Sequence, residues 1–425
     1  MHDWDVVVVG GGAAGMVAAF RAAERGRRTL LLEKNARLGA KILISGGTRC
    51  NLSHATDRRG IVREFGAAGP FLHSALSRLG PEEVVALFAA EGVATKVEPD
   101  TGKVFPVGDR AGDVAAALGR RLRRSGSATA LGEPLLRIER SDAAFRLVTA
   151  SRTLTADRVI LATGGKSYPR CGTTGDGYAW AASLGHTIVT PRPALVPLRT
   201  DAAWVCALQG ITLPDVAVCV MPADAAGDAR DSAPPKRKAA ALARRRGSFL
   251  FAHFGLSGPV VLDVSRAVSG HPHPESLALV CDFAADLPEE RLLAMFSAAC
   301  AASGKRRPAT ILGAWLPARL AESLMALLDL PAHRPAAELS KADRRRVVAA
   351  MKRLAIPLSG TLGFQKAEVT AGGVALDEVD SRSMQSKIVA GLHFAGELLD
   401  IDGPIGGYNF QAAFSTGWLA GESAG

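Results

Sequence analysis

The sequence predicts an α/β protein in which one dinucleotide-binding domain is split around an insertion that is part β and part α. Three observations carry this. An apolar strand, Val6-Val7-Val8-Val9, runs straight into Gly10-Gly11-Gly12-Ala13-Ala14-Gly15 and a small-residue helix. A second apolar strand, Leu30-Leu31-Leu32, ends in the acid Glu33. Buried-strand patterns return at Val159-Ile160-Leu161 and at Leu392-His393-Phe394, with residues of a different character between them.

The elements follow in order. Gly10 permits the tight turn out of the first strand, Gly12 lets backbone approach a pyrophosphate, and Gly15 lets the helix over 13–25 lie close on the sheet. The unpaired N–H groups and positive dipole end of that helix face the phosphates. Glu33 stands at the usual distance of about 20 residues, where a carboxylate accepts from ribose hydroxyls and repels a 2′-phosphate. Residues 36–57 read as a long loop with one short helix. A helix over 81–91 has Pro at its first turn and an apolar face of Val84, Val85, Leu87 and Phe88. Residues 95–107 read as a hairpin turning at Asp100-Thr101-Gly102, and 109–124 as a helix whose closing arginines suit its C-terminal dipole. Residues 135–140, 145–150 and 152–156 alternate like a small antiparallel sheet, and 158–165 form a buried parallel strand. Pro191, Pro193 and Pro197 mark an exit from the domain. Residues 195–265 read as strands, among them 216–221 and 249–252 around a charged loop. Residues 288–355 are helical and alanine-rich, 391–397 are a returning strand, and 411–420 are the last helix. The boundaries predicted are 1–194 and 373–425 for the nucleotide domain, 195–285 with 356–372 for the β-rich insertion, and 286–355 for the helical part.

Composition is that of a globular chain, with 48% hydrophobic and 22% charged residues. No apolar run reaches membrane-spanning length. The acidic start leads directly into a strand and lacks the basic segment and cleavage site of a signal peptide. The six cysteines are scattered without a CxxC pair, which suits a reduced cytoplasm and suggests neither a disulfide framework nor a metal site. Net charge is +10 and the excess is clustered. One cluster spans 236–246 (Lys236, Arg237, Lys238, Arg244, Arg245, Arg246), one spans 305–307 (Lys305, Arg306, Arg307), and one spans 341–353 (Lys341, Arg344, Arg345, Arg346, Lys352, Arg353). Either a phosphate-rich partner such as RNA or a solvated basic surface accounts for them.

Three further glycine motifs point to FAD rather than NAD. Ala162-Thr163-Gly164-Gly165 closes a strand, Gly396-Glu397 closes another, and Gly406-Gly407-Tyr408-Asn409-Phe410 opens the final helix, whose N-terminus would stabilise negative charge on a reduced flavin. No second GxGxxG with its own acid offers a resident nicotinamide site, so NAD(P)H would visit the substrate pocket only transiently.

The stretch Gly39-x-Lys41-x4-Ser45-Gly46-Gly47-x-Arg49-Cys50-Asn51, with Gly164-Gly165-x-Ser167-Tyr168-Pro169, Thr174-Gly175-Asp176-Gly177-Tyr178, His253-Phe254-Gly255-Leu256-Ser257-Gly258-Pro259 and Thr370-Ala371-Gly372-Gly373-Val374, resembles the BaiN/RdsA family of FAD-dependent oxidoreductases, also called YhiN-like or aminoacetone-oxidase-like flavoproteins. The resemblance covers nearly the whole chain. It implies a split FAD domain of the two-dinucleotide-binding-motif type, an inserted β-barrel-like domain and a small helical domain. It also implies divergent activities, including ribosomal RNA dihydrouridine synthesis, bile-acid ring reduction and aminoacetone oxidation.

The leading expectation is therefore reduction of a uridine in large-subunit ribosomal RNA, with hydride from reduced flavin and a proton from an acid. The alternatives are a small-molecule oxidase or reductase of an amine or enone, and a non-catalytic flavin-bearing RNA- or ribosome-binding protein. Cofactor contacts are expected from Gly10, Gly12, Ala13, Ala14, Gly15, Glu33, Lys34, Lys41, Ser45, Gly46, Gly47, Arg49, Cys50 and Asn51. Ala162, Thr163, Gly164, Gly165, Gly396, Glu397, Asp402, Gly407, Tyr408, Asn409 and Phe410 complete the set. Cys50 and Cys171 are the candidate proton donors, each weighed against packing as a small hydrophobe. His253 is a candidate substrate contact, weighed against a satisfied core histidine. Asp402 either bonds a cofactor hydroxyl or shapes its turn, and Asn409 is alternatively a helix N-cap.

Overall fold

In the computed structural model, which describes residues 2–141, 144–227, 240–330 and 333–425, the apolar run of the N-terminal segment becomes the central strand β1 (Trp4–Val9). Its last four valines are buried on both faces, as a parallel strand covered by helices requires. Helix α1 (Ala13–Glu24) carries the chain over to β2 (Thr29–Glu33), which pairs parallel with β1. The sheet runs in the order Ala128–Leu131, β2, β1, Thr153–Leu161, with Leu392–Phe394 parallel to the end of the last of these. On the same edge the antiparallel strands Phe145–Thr149 and Leu135–Arg140 extend the sheet. The small antiparallel sheet expected there is thus not separate. Residues 153–161 form one continuous strand, whose first half pairs antiparallel and whose second half pairs parallel with the strand after the insertion.

The chain divides into two units, residues 1–193 with 364–425 and residues 194–363. The return to the first unit lies earlier than the glycines suggested, because Val369–Val374 pairs with Ile188–Ala194 in a two-stranded sheet. The final helix runs over Tyr408–Ala424, longer at both ends than expected, and packs on α1. A Cβ on Gly417 or Gly421 would overlap the backbone of Ala14 or Ala18, so only glycine permits this helix crossing.

In the second unit, seven strands pair antiparallel in the order Leu354–Pro357, Leu277–Asp282, Thr212–Pro222, Ala243–Ala252, Gly255–Ser257, Leu198–Arg199 and Gly360–Thr361. The two edge strands are neighbours in the chain, and between them Leu358 N donates to Leu277 O and Ser359 N to Arg199 O. The sheet therefore curls until its edges meet, a barrel-like form. Pro259–Ser269 is a helix rather than a strand: Pro starts it, and Val260, Val261, Val264 and Val268 bury one face at helical spacing. The helices Glu289–Ala302, Ala318–Leu327 and Lys341–Arg353 share one core with the sheet, through Leu292, Phe296, Leu324, Val348 and Met351 against Val218, Phe249 and Leu279. The helical part is not a core of its own.

Candidate active site

The glycine motifs at Gly10–Gly15, Gly164-Gly165 and Gly396 lie at the carboxyl ends of the parallel strands that end at Val9, Leu161 and Phe394. Gly10, at φ 107°, turns the chain out of β1, and a Cβ there would stand 2.6 Å from Ala162 O. A Cβ on Gly15 would overlap Gly10 O, so α1 can rest this close only on glycine. Gly12 differs: it caps α1 without any side-chain bond, and nothing lies within 4 Å of where its Cβ would stand. The first-turn N–H groups over Ala13 and Ala14 thus face an open cradle of the kind a pyrophosphate fills. A Cβ on Gly396 would meet that of Ala14 at 2.8 Å, which brings Gly396-Glu397 against the start of α1.

Glu33 is buried, and its carboxylate accepts from Gly11 N at 2.6 Å and Asn35 N at 2.8 Å. It holds the glycine turn and keeps lone pairs for a further donor. Thr163 Oγ1, after the strand Thr153–Leu161, and the Tyr178 hydroxyl, within reach of the Glu397 and Asp400 charges, are buried without hydrogen-bond partners among the described residues. Uncapped N–H groups, a ribose acceptor and orphaned hydroxyls together fit an FAD nucleotide half.

Several residues expected on the cofactor have protein partners in this structure. Lys41 Nζ donates to Ser167 Oγ at 2.6 Å and to Glu397 Oε2 at 2.7 Å, while Glu397 Oε1 accepts from Ser167 Oγ and Thr370 N at 2.8 Å each. Gly165 leaves room for this clamp, since its Cβ would press on Thr370 and Glu397. Lys34 pairs with Asp176 at 2.5 Å and Thr174 at 2.6 Å. Arg49 pairs with Glu98 at 2.7 Å and lies 4.0 Å over the Phe105 ring. Ser45, Gly46 and Gly47 form a short turn with both glycines left-handed, in which Ser45 O accepts from Cys50 N at 3.1 Å.

A second cluster joins residues far apart in sequence. Asn51, with its amide oxygen turned to Gly407, accepts from Gly407 N at 2.9 Å and donates to Ser53 O at 2.9 Å. Ser53 Oγ donates to Gln411 Oε1 at 2.6 Å, and the His54 ring stacks on Tyr408 at 4.7 Å. Gly407, not Asn409, caps the final helix; the Asn409 amide instead bridges Gly403 N and Gly403 O at 2.9 Å each. Phe410 stacks on Phe414, and Asp402 is buried in the loop before the helix.

The candidate acids divide. Cys50 is fully buried in the core, and burial pushes its thiol up to about 12. Cys171 is half-buried, and its carbonyl accepts from Asn35. His253 belongs to the second unit, edge-on to Phe254. Sequence reasoning missed Glu368, whose hydrogen bond to Tyr168 appears only once the segments around 168 and 368 meet. It also missed a buried relay in which the His186 ring contacts Glu378 at 3.0 Å and Ser386 Oγ at 2.7 Å. Ser386 Oγ accepts there from Ile388 N and Val389 N, so the relay pins a turn.

In the second unit the basic clusters separate into tied and untied charge. Arg246 pairs with Asp215 and Asp286, Lys352 with Asp282, Arg353 with Glu289 and Arg346 with Asp343. Lys305, Arg306, Arg307, Lys341 and Arg345 are exposed, and among the described residues none of them pairs with an acid. Ala336 N donates to Arg306 O at 2.9 Å and Ala337 N to Gly304 O at 3.1 Å, which sets residues 304–306 beside the turn that precedes the helix Lys341–Arg353. Arg244 and Arg245 are exposed on their strand, and Lys236, Arg237 and Lys238 lie outside the described residues.

The family described as HI0933-like protein Rossmann domain matches residues 4–423. The chain belongs to this HI0933-like family. It is 31% identical over 420 residues, 98% of each chain, to a 3-dehydro-bile acid delta(4,6)-reductase of Clostridium scindens. It is 29% identical over 426 residues, 99% of this chain and 98% of the relative, to a ribosomal RNA dihydrouridine synthase of Escherichia coli. Among solved structures, 3-ketosteroid delta1-dehydrogenase from Sterolibacterium denitrificans shares the fold at TM-score 0.51 and 14% identity, over 99% of both chains. This HI0933-like protein is an FAD-dependent oxidoreductase, and the reading as a non-catalytic flavin carrier is set aside. No helix among the described residues is long and apolar enough to cross a membrane.

Proposed function

We propose that this HI0933-like protein reduces a carbon–carbon double bond conjugated to a carbonyl, and that its substrate is a uridine of large-subunit ribosomal RNA. Bound FAD, once reduced, supplies the hydride. The residues that would hold FAD are Gly12, Ala13 and Ala14 at the pyrophosphate, Glu33 at the ribose, Thr163 beside them, and the N-terminus of the final helix at the flavin ring. Lys41, Ser167 and Glu397 act on the cofactor by fixing the loops around it.

The observation that supports the RNA reading is the set of exposed basic side chains in the second unit, Lys305, Arg306, Arg307, Lys341 and Arg345, which outnumber the acids beside them, Glu338 and Asp343. Phosphate contacts of this kind dominate RNA affinity. The low aromatic content, 5%, means such binding would rest on charge more than on base stacking. The reading places the protein in the cytoplasm, with NAD(P)H as a transient electron donor. Nucleoside mass spectrometry of ribosomal RNA with and without the gene tests it. Unchanged dihydrouridine would overturn it.

A second reading, reduction of a small-molecule enone, is favoured by the name of the 31% identical relative, and an aminoacetone-type amine is the further alternative. A uracil ring and a steroid enone share the conjugated C=C–C=O unit, so the same hydride and proton chemistry serves both. Turnover of a steroid 4-en-3-one with no change in ribosomal RNA would select the enone.

A further inference from the structure

Reduction of such a double bond needs a proton as well as a hydride, and most groups at the carboxyl edge of the sheet are already committed. Lys41 is held between Ser167 and Glu397, Lys34 by Asp176 and Arg49 by Glu98, and Cys50 is in the core. Tyr168 is different. Its ring is half-buried rather than enclosed, and its hydroxyl lies 3.4 Å from Glu368 Oε1. The backbone of Tyr168 is left-handed at φ 52°, an unfavourable state for a residue with a side chain. Four hydrogen bonds hold that state: Tyr168 N donates to Phe364 O at 3.0 Å, Cys171 N to Tyr168 O at 2.8 Å, and Thr173 Oγ1 to Tyr168 O at 3.0 Å and also to Ser167 O. Strain over-determined in this way aims a side chain. The same segment carries Ser167, which is bonded to Glu397 beside the start of α1.

We propose that Tyr168 is the proton donor of the reduction and that Glu368 is the positioning residue that returns its proton. The inference rests on the conjugated-alkene reading above and holds for uridine or enone alike. As hydride bonds to one alkene carbon, the π pair moves to the other carbon. That carbon takes the proton from the Tyr168 hydroxyl, whose bonding pair stays on the phenolate oxygen. After the transfer Glu368, which accepts from the Tyr168 hydroxyl and whose carboxyl burial raises, takes a proton from solvent and passes it to the phenolate oxygen. Glu397 raises that carboxyl further and Lys41 lowers it; burial, Glu368 and Cys171 hold the Tyr168 phenol up at about 12.

The test uses FAD-loaded wild-type, Tyr168→Phe and Glu368→Gln proteins, reduced anaerobically with dithionite. Each is mixed with ribosomal RNA from a gene-deleted host or with a steroid 4-en-3-one, and flavin reoxidation is followed. Tyr168→Phe is expected to keep the flavin spectrum and its reduction, and to slow reoxidation by about 100-fold or more. Equal rates for wild type and Tyr168→Phe overturn the proposal while leaving the function intact. A wild-type protein reoxidised by neither substrate overturns the reading beneath it and the proposal with it. Independently of turnover, phenolate absorbance at 295 nm in the apoprotein reports the protein's three tyrosines. Glu368→Gln is expected to lower one of these titrations, the one missing from Tyr168→Phe, by roughly half a unit or more. An unmoved titration refutes the role of Glu368.

Discussion

His393 offers a quantitative test of the sheet at the heart of the first unit. It sits in the middle of the strand Leu392–Phe394 at 1% exposure, with at most a weak contact to the Gly391 backbone for its ring nitrogens. Burial, opposed by the Gly391 backbone and aided by the Arg158 cation, lowers its pKa from 6.5 to about 4. The unfolded chain binds a proton below about 6.5 that the native state refuses, so stability is fully present above that pH. It is lost as pH falls toward 4. Integrating the linkage gives a loss of about 2 kcal/mol between pH 7.5 and 5, and about 3 kcal/mol by pH 4. His393→Leu removes this contribution together with poorly satisfied buried ring nitrogens, a buried unpaired polar atom costing about 1–3 kcal/mol. Urea unfolding of wild type and His393→Leu across pH 7.5 to 4.5 should therefore show the variant gaining relative stability with falling pH. Parallel curves for the two proteins would refute the argument, because they would mean the imidazole titrates alike in both states.

Three other outcomes follow from the geometry. Glu33→Ala should raise the FAD dissociation constant roughly 5- to 150-fold by removing the acceptor of Gly11 N and the ribose, read as FAD fluorescence released on ultrafiltration; wild-type retention would dismiss the contact. Gly421→Val should cost about 3 kcal/mol, because its Cβ would enter the Ala18 backbone, and an unchanged thermal melt would disprove the crossing. Reversing Lys305, Arg306 and Arg307 to glutamate should weaken ribosomal RNA binding by about tenfold or more at physiological salt while leaving FAD content unchanged; equal binding by filter retention would remove the patch from the argument.

Much of the nucleotide end was legible in the sequence because its causes are local. A glycine that must admit a helix or a pyrophosphate is constrained by its immediate neighbours, so Gly10, Gly12, Gly15 and Glu33 could be placed without a structure. The flavin end was less legible. Lys41, Asn51 and Glu397 stand in distinctive motifs, but those motifs meet side chains hundreds of residues away, and the same polar atoms that could hold a ligand bind the protein instead. The helix Pro259–Ser269 was hidden by its valines, which suit a strand until burial at helical spacing decides otherwise. The basic clusters could be counted but not sorted, since only the fold shows which arginines already face an aspartate or a glutamate.

The contact between Asn51 and Gly407 sets a timetable for synthesis. A chain emerging from the ribosome presents the first loop of the site long before the segment that fastens it. Until Leu392–Phe394 slots beside Thr153–Leu161 and the glycines of the last helix reach Ala14 and Ala18, one edge of the parallel sheet and one face of α1 stay uncovered. The Asn51–Gly407 contact therefore forms only after nearly the whole chain has been made. A molecule released before its last helix is made would carry an adenosine cradle with nothing to close over the flavin.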